Sequence, residues 1–131
     1  MSQQDVQTIR EGYEAFNRQD IPNVLERFDP LIEWTEPGGG RAPAGTFRGS
    51  QVVAEQVFRL VPENFEELHP EPEQFIDAGD HVAVVGRFRG RTKSGVSLDA
   101  PFVHVYTMRN GKAVRFYNHV DAVAWARAWG G

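Results

Sequence analysis

The stretch VHVYTMRNGKAVRFYNHVD, residues 103–121, decides the fold. Two runs of alternating residues flank Asn110-Gly111, a dipeptide that accepts the positive φ angles of a tight hairpin turn. Alternation at period two sends neighbouring side chains to opposite faces, so the stretch predicts two antiparallel strands. The turn decides which faces meet. A two-residue turn sets His104 opposite Tyr117, whereas a three-residue loop with Gly111 left-handed in a bulge sets it opposite Phe116. The second register groups Phe102, His104 and Tyr106 with Val114, Phe116, Asn118 and Val120 on one mostly apolar face, suited to a pocket wall, and is favoured on that ground. Tyr117, His119 and Asp121 then point to the other face.

Upstream, the turn signals AGD (78–80) and KSG (93–95) divide the chain from Phe65 onward into further period-two runs, giving a four-stranded antiparallel meander. The first half reads differently. Val6, Ile9, Tyr13 and Phe16 recur at helical spacing, with Ser2 and Asp5 placed to cap the start. Asp20 can cap a short second helix with Pro22 in its first turn and Val24, Leu25 and Phe28 turned inward; Pro30 then stops it. A third helix opens at Ser50, turns Val53, Val57 and Leu60 inward and ends before Pro62. LIEWT (31–35) supplies one more strand, and EPGGGRAPAGTFRG (36–49) reads as a loop, a candidate mobile lip. The class is α+β: a curved antiparallel sheet wrapped round three helices of the N-terminal half, one domain over residues 1–131.

Composition narrows the function. The 131 residues are 40% hydrophobic and 24% charged, with a net charge of −4, which lacks the basic excess that phosphate-backbone binding needs. Nucleic acid is not an expected partner. The start, MSQQDVQTIREGYEAF, has no apolar run of signal-peptide length, and no segment approaches the roughly 20 apolar residues of a membrane span. No membrane partner is expected, and a cytoplasmic location is. With no cysteine in the chain, disulfides, thiolate metal sites and cysteine nucleophiles are excluded. His69 lies between Leu68 and Pro70, and His81 follows Asp80 at a turn; neither spacing suggests a metal triad, so no metal is expected. Arg87, Arg89 and Arg91 alternate on one side of a strand, a solvated face or interface rim in its ordinary meaning and an anion site in its sharper one. PGGG (37–40) lacks the Gly-Lys-Ser/Thr ending of a phosphate loop, and no cofactor is expected.

The element order, with YEAFNRQDIPNVLERFDPLIEWTEP (13–37) early and HVYTMRNGKAVRFYNHVDAVAW (104–125) late, resembles the SnoaL-like branch of the nuclear transport factor 2-like superfamily. That resemblance covers nearly the whole chain. It implies a cone-shaped α+β barrel, usually a dimer through the outer face of the sheet, with a pocket between sheet and helices. Relatives include ketosteroid isomerases, limonene-epoxide hydrolases and polyketide cyclases. In the cyclases a late strand carries an acid/base Asp and the preceding strand a His. Counted from Gly111, the Asp falls on Asn118 and the His on His104; an amide polarises a carbonyl or holds a water but does not shuttle a proton. In the isomerases, an oxyanion-donating Tyr falls on Tyr13 and a base before a Pro on Glu36, while their second acid falls near Val103, which donates nothing.

These residues also have structural readings. Tyr13 occupies a core-facing helical position. Glu36 shares strand parity with Ile32 and Trp34, facing either the cavity or solvent at a loop entrance. His104, with an ordinary pKa near ~6.5, is the best single candidate for proton chemistry and equally a hydrogen-bonded core residue. Two classes stay open. One is a cofactor-free isomerase, cyclase or hydratase acting on a small apolar carbonyl compound, with His104 moving the proton and Tyr13 or Asn118 polarising the substrate. The other is a non-catalytic ligand-binding or dimerisation domain using the same cavity, lined by Phe16, Trp34, Phe58, Phe102, Tyr106 and Phe116.

Overall fold

The helical face marked by Val6, Ile9, Tyr13 and Phe16 forms as α1 (Ser2–Asn17) in the computed structural model, which describes residues 2–131. The side chain of Ser2 lies outside that description, and with it the expected capping pair. Ile9 and Tyr13 are buried, and Val6 and Phe16 pack half-buried against the core. Asp20 caps α2 (Ile21–Leu25), accepting a hydrogen bond from the Asn23 N–H at 3.3 Å.

Phe28 is not helical. It opens β1 (Phe28–Pro37), because the Ala113 N–H donates to the Arg27 carbonyl at 2.9 Å and Phe28 pairs with Ala113, drawing the segment into the sheet. Pro30 therefore lies inside a strand; the break in register between Phe28 and Glu33 leaves no ladder bond for its missing N–H to make. Within the stretch expected as a loop, residues 44–48 form β2 (Ala44–Arg48), an edge strand paired with β1. The rest of that stretch is tied down: Arg41 donates its N–H to the Gly130 carbonyl at 2.7 Å, and Gly38 to Pro43 at 2.9 Å. These bonds dock the loop against the chain end and the start of β2.

The third helix is longer and less regular than expected. α3 (Ser50–Val53) passes into a π-helical stretch, Ala54–Phe58, and then α4 (Leu60–Asn64). The Arg59 N–H reaches back to the Ala54 carbonyl at 3.0 Å, loosening the coil just before a new first turn begins. Pro62 sits in that first turn, where its missing N–H is not needed, so it does not end the helix.

The meander forms as β3 (Phe65–Ala78), β4 (His81–Thr92), β5 (Ser97–Arg109) and β6 (Lys112–Val120). The sheet order is β2-β1-β6-β5-β4-β3, antiparallel throughout save for the parallel β1–β6 pair. With β2 and β3 as edges the curved sheet stays open, where the resemblance implied a barrel.

The last hairpin follows neither expected register. Asn110 (φ 54°) and Gly111 (φ 77°) make a two-residue turn, pairing Arg109 with Lys112 and Met108 with Ala113. Thr107 then pairs with Arg115, so Val114 is an extra residue in a bulge. The bulge restores the favoured parity but moves the pairing on: His104 faces Asn118, and Tyr106 faces Phe116. Ala113, buried, takes the inward place expected of Val114. After β6, Asp121 caps α5 (Ala122–Trp129), accepting from the N–H groups of Val123 and Ala124 at 3.1 and 3.2 Å. Among the described residues no helix is long and apolar enough to cross a membrane.

Candidate functional site

Strand pairing lays two rows of side chains across the inner face of the sheet. Trp34, Phe116, Tyr106 and Val82 pair in sequence across β1, β6, β5 and β4 and form an apolar row. One pleat further along, Asn118 pairs with His104 and His104 with Val84, while Glu36 stands two residues beyond Trp34. The second row is polar.

Its groups bond in one continuous chain with the polar ends of Tyr106 and Trp34 from the first row and with Tyr13. Tyr106 O–H donates to the Tyr13 hydroxyl at 2.9 Å, and the Tyr13 hydroxyl lies 2.6 Å from His104 Nδ1. Asn118 presents its Oδ1, an acceptor, to His104, so the neutral ring carries its proton on Nε2 and donates it there at 3.1 Å, and Nδ1 accepts the Tyr13 proton. Asn118 Nδ2 donates to Glu36 Oε1 at 3.0 Å, and Trp34 Nε1 donates to Glu36 Oε2 at 2.7 Å. Every proton points toward the carboxyl of Glu36. All six residues are buried, and Tyr13, contributed by α1, closes the row from above.

Burial sets the protonation states. Removed from water, the Glu36 carboxyl is pushed up to about 7, the donors Asn118 and Trp34 pulling it back only in part. The same desolvation drives His104 down to about 3, against the Asn118 hydrogen bond, so the imidazole is neutral at neutral pH. Burial also pushes the phenols of Tyr13 and Tyr106 up.

These groups border a cavity of about 80 Å³. Tyr13, Glu36, His104 and Asn118, the four residues singled out from the sequence, all line it. So do Phe16, Trp34, Phe58, Tyr106 and Phe116. Phe102 does not: it is paired with Gly86, where a Cβ would stand 2.8 Å from its ring, and it stacks behind His104 with ring centroids 3.8 Å apart. Sequence reasoning missed Arg27 and Phe88 as wall residues. The four-residue spacing of Trp125 and Trp129 sets them on one side of a terminal helix, packed on the barrel mouth or on a partner, and both line the cavity. A wider recess bordered by Arg59, Glu66 and His69 shares Phe16, Phe58, Val61 and Leu68 with the cavity.

On the outer face, Tyr117 and His119 are exposed and stack on each other at 5.9 Å. Arg87 and Arg89 each hold a carboxylate at 2.7 Å, Asp99 and Glu71 respectively, so these two cations are already partnered and the sharper, anion-site reading loses them.

A helix closed over an open, curved six-stranded sheet, with a polar row at the base of an apolar cavity, places the protein in the NTF2-like class. Within it, the chain belongs to the SnoaL-like domain family, whose model matches residues 9–116. An NTF2-like protein of unknown function from Burkholderia pseudomallei is 36% identical over 98% of each chain, with a TM-score of 0.89. TerC, co-crystallised with polyporic acid, is 31% identical over 96% of this chain and 98% of its own, at 0.86. IdmH of Streptomyces antibioticus, a proposed polyketide cyclase, is 22% identical over 95% and 96%, at 0.78, a likeness of fold alone. No curated protein sequence matches the chain.

Proposed function

We propose that this protein binds a small apolar carbonyl compound between sheet and helices and moves a proton on it without a cofactor, Glu36 acting as the base. One observation carries the reading: Glu36 is a buried carboxyl on an apolar cavity wall, held by a donor on each oxygen and brought to about 7. A base poised near neutral pH both accepts and returns a proton efficiently. His104, neutral and engaged at both ring nitrogens, orients Asn118 and is not the base. The indole N–H groups of Trp125 and Trp129 are buried on the same wall without a partner among the described residues, which suits a ligand with acceptor oxygens. The co-crystallisation of TerC with polyporic acid supports an oxygenated organic ligand.

A second reading, binding without turnover, is favoured by a specific feature. In the chain of hydrogen bonds both phenol protons are spent internally, leaving Tyr13 and Tyr106 no donor for a substrate oxygen. The deciding experiment incubates enolisable aromatic ketones with the protein in heavy water and follows deuterium entry by mass spectrometry. Exchange that Glu36→Gln lowers by about 10²–10⁴-fold supports the base. Binding of polyporic acid, read from quenching of the three cavity tryptophans, with no exchange of any ketone supports the second reading. We further propose that the protein dimerises through the outer face of the sheet, where Ile76, Val103 and Tyr117 stand 38–40% exposed.

A further inference from the structure

The polar row can run in two directions: one satisfies every group within it, and the other frees a single donor at its far end. With Glu36 ionised, the protons run from Tyr106 through Tyr13, His104 and Asn118 into the carboxylate, as described above. Put one proton on Glu36 Oε1 and the link to Asn118 must reverse, because Oε1–H now donates and needs an acceptor. The Asn118 amide supplies one by turning over, which exchanges an oxygen and a nitrogen of nearly equal size at unchanged distances. Its NH₂ then faces His104 Nε2, which must accept, so the single ring proton moves to Nδ1. Nδ1–H donates to the Tyr13 oxygen, and Tyr13 O–H turns to the Tyr106 oxygen. Trp34 continues to donate to Oε2.

The count closes. One proton is gained, on Glu36; His104 keeps one ring proton on the other nitrogen; both phenols and the amide keep theirs. What changes is the far end: Tyr106 O–H has been released from Tyr13, and Tyr106 lines the cavity.

We infer that the protonation of Glu36 is coupled through Asn118, His104 and Tyr13 to Tyr106, which becomes the donor that recognises an enolate- or phenolate-type oxygen of the ligand. This rests on the acid–base reading of Glu36 and names the oxygen-recognising residue of the same site. Electrostatics favour the same pairing: an anionic ligand and an ionised Glu36 in one apolar cavity would be two like charges out of water, so anion binding draws a proton onto Glu36. It also removes the objection that no phenol proton is free, since the donor appears when the base has taken up its proton.

The groups around Glu36 are few. Asn118 from β6 and Trp34 from its own strand bond to it, Tyr106 of β5 feels its charge, and His104 of β5 and Tyr13 of α1 reach it only through Asn118. Arg27, after α2, lines the cavity but is ion-paired to Glu11 at 2.7 Å; α5 contributes Trp125 and Trp129, which do not titrate. His119, on the outer face of β6, acts weakly on His104.

The test follows the ring nitrogens of His104 by ¹⁵N NMR. The chain has four histidines, and His69, His81 and His119 are not buried, so H69Q/H81Q/H119Q leaves His104 as sole reporter. From about pH 9 to about pH 5 the proton should pass from Nε2 to Nδ1, with the midpoint of the Glu36 carboxyl followed by ¹³C in the same sample. Glu36→Gln in that background should abolish the pH dependence. Adding 4-nitrophenol at about pH 8, where Glu36 is mostly ionised, should convert His104 to the Nδ1–H form, and Tyr106→Phe should weaken its binding about tenfold. A single tautomer across the whole range while Glu36 titrates overturns the coupling and leaves Glu36 standing as a base. 4-Nitrophenol that binds without moving the tautomer, or does not bind, overturns the assigned ligand class. A tautomer switch in a protein that exchanges no ketone proton upholds the coupling and refutes the catalytic reading instead.

Discussion

His104 and Asn118 face each other across β5 and β6, with the imidazole Nε2 3.1 Å from the amide Oδ1. The pairing exists because a two-residue turn and a bulge at Val114 act together; the turn alone would set His104 against Tyr117, and the extra residue moves it on to Asn118. Burial keeps that imidazole neutral, and the pairing makes it the link between the Tyr13 phenol and the amide that holds the Glu36 carboxyl.

Replacing Asn118 by Asp tests that contact. A carboxylate beside Nε2 stabilises the imidazolium, so His104 should protonate at higher pH than in the wild type, by on the order of 1–3 units. Glu36 loses its amide donor and gains a like-charged neighbour, so its carboxyl should move further up, with a stability loss of about 1–3 kcal/mol. An NMR titration in which His104 is unmoved while His119 or His81 shifts contradicts the geometry.

Stability against pH separates the two buried titratable groups. The folded chain holds a proton on Glu36 up to about 7, whereas an ordinary carboxyl releases it near 4.5, so across that window stability falls as pH rises. His104 acts oppositely: between about 3 and 6.5 the unfolded chain binds a proton that the folded chain refuses, so stability rises with pH. From 4.5 to 6.5 the slopes oppose each other, each about 1.4 kcal/mol per unit. Urea unfolding of the wild type should be nearly flat there, Glu36→Gln should show the rising slope, and His104→Gln the falling one. Parallel curves for all three proteins would refute the assigned protonation states.

The terminal helix should matter to the cavity and not only to the chain end. Trp125 packs on Phe88 at 4.6 Å between ring centroids and Trp129 edge-on to Phe65 at 5.1 Å. Trp125→Ala should cost about 3–5 kcal/mol, and deletion of residues 122–131 more. Melting temperatures equal to the wild type would show that α5 does not seal the wall.

The fold was legible where one physical pattern acted alone. The α1 face and the parity of β1, β5 and β6 follow from spacing, and parity brought Trp34, Glu36, His104 and Asn118 to one side of the sheet. Where two patterns competed, local reading failed. Val114 looks like a strand residue in step and is a bulge, because a one-residue insertion leaves no mark beyond two consecutive apolar residues, Ala113 and Val114. β2 was hidden by its glycine and by an edge position whose side chains are mostly exposed, so it shows no apolar alternation. Phe28 was drawn from helix to strand by pairing with Ala113, 85 residues away in sequence. The link from Tyr106 to Tyr13 joins a strand to a helix and has no sequence periodicity to announce it.

The proposed dimer predicts a monomer on charging its face. Val103 is 38% exposed at the middle of the outer surface, and Val103→Arg should leave fold and melting little changed while sedimentation at micromolar concentration shifts from dimer to monomer. A wild type that sediments as a monomer at that concentration refutes the dimer.

The proposed base is the carboxyl of Glu36, and a ¹³C titration of that carbon reads its protonation directly. In the free protein its midpoint should lie near 7, and it should fall when Trp125 and Trp129 are replaced by smaller residues that let water onto the wall. A midpoint near 4.5, the ordinary carboxyl value, would mean that Glu36 is already ionised and solvated well below neutral pH, and the proposed base would be gone.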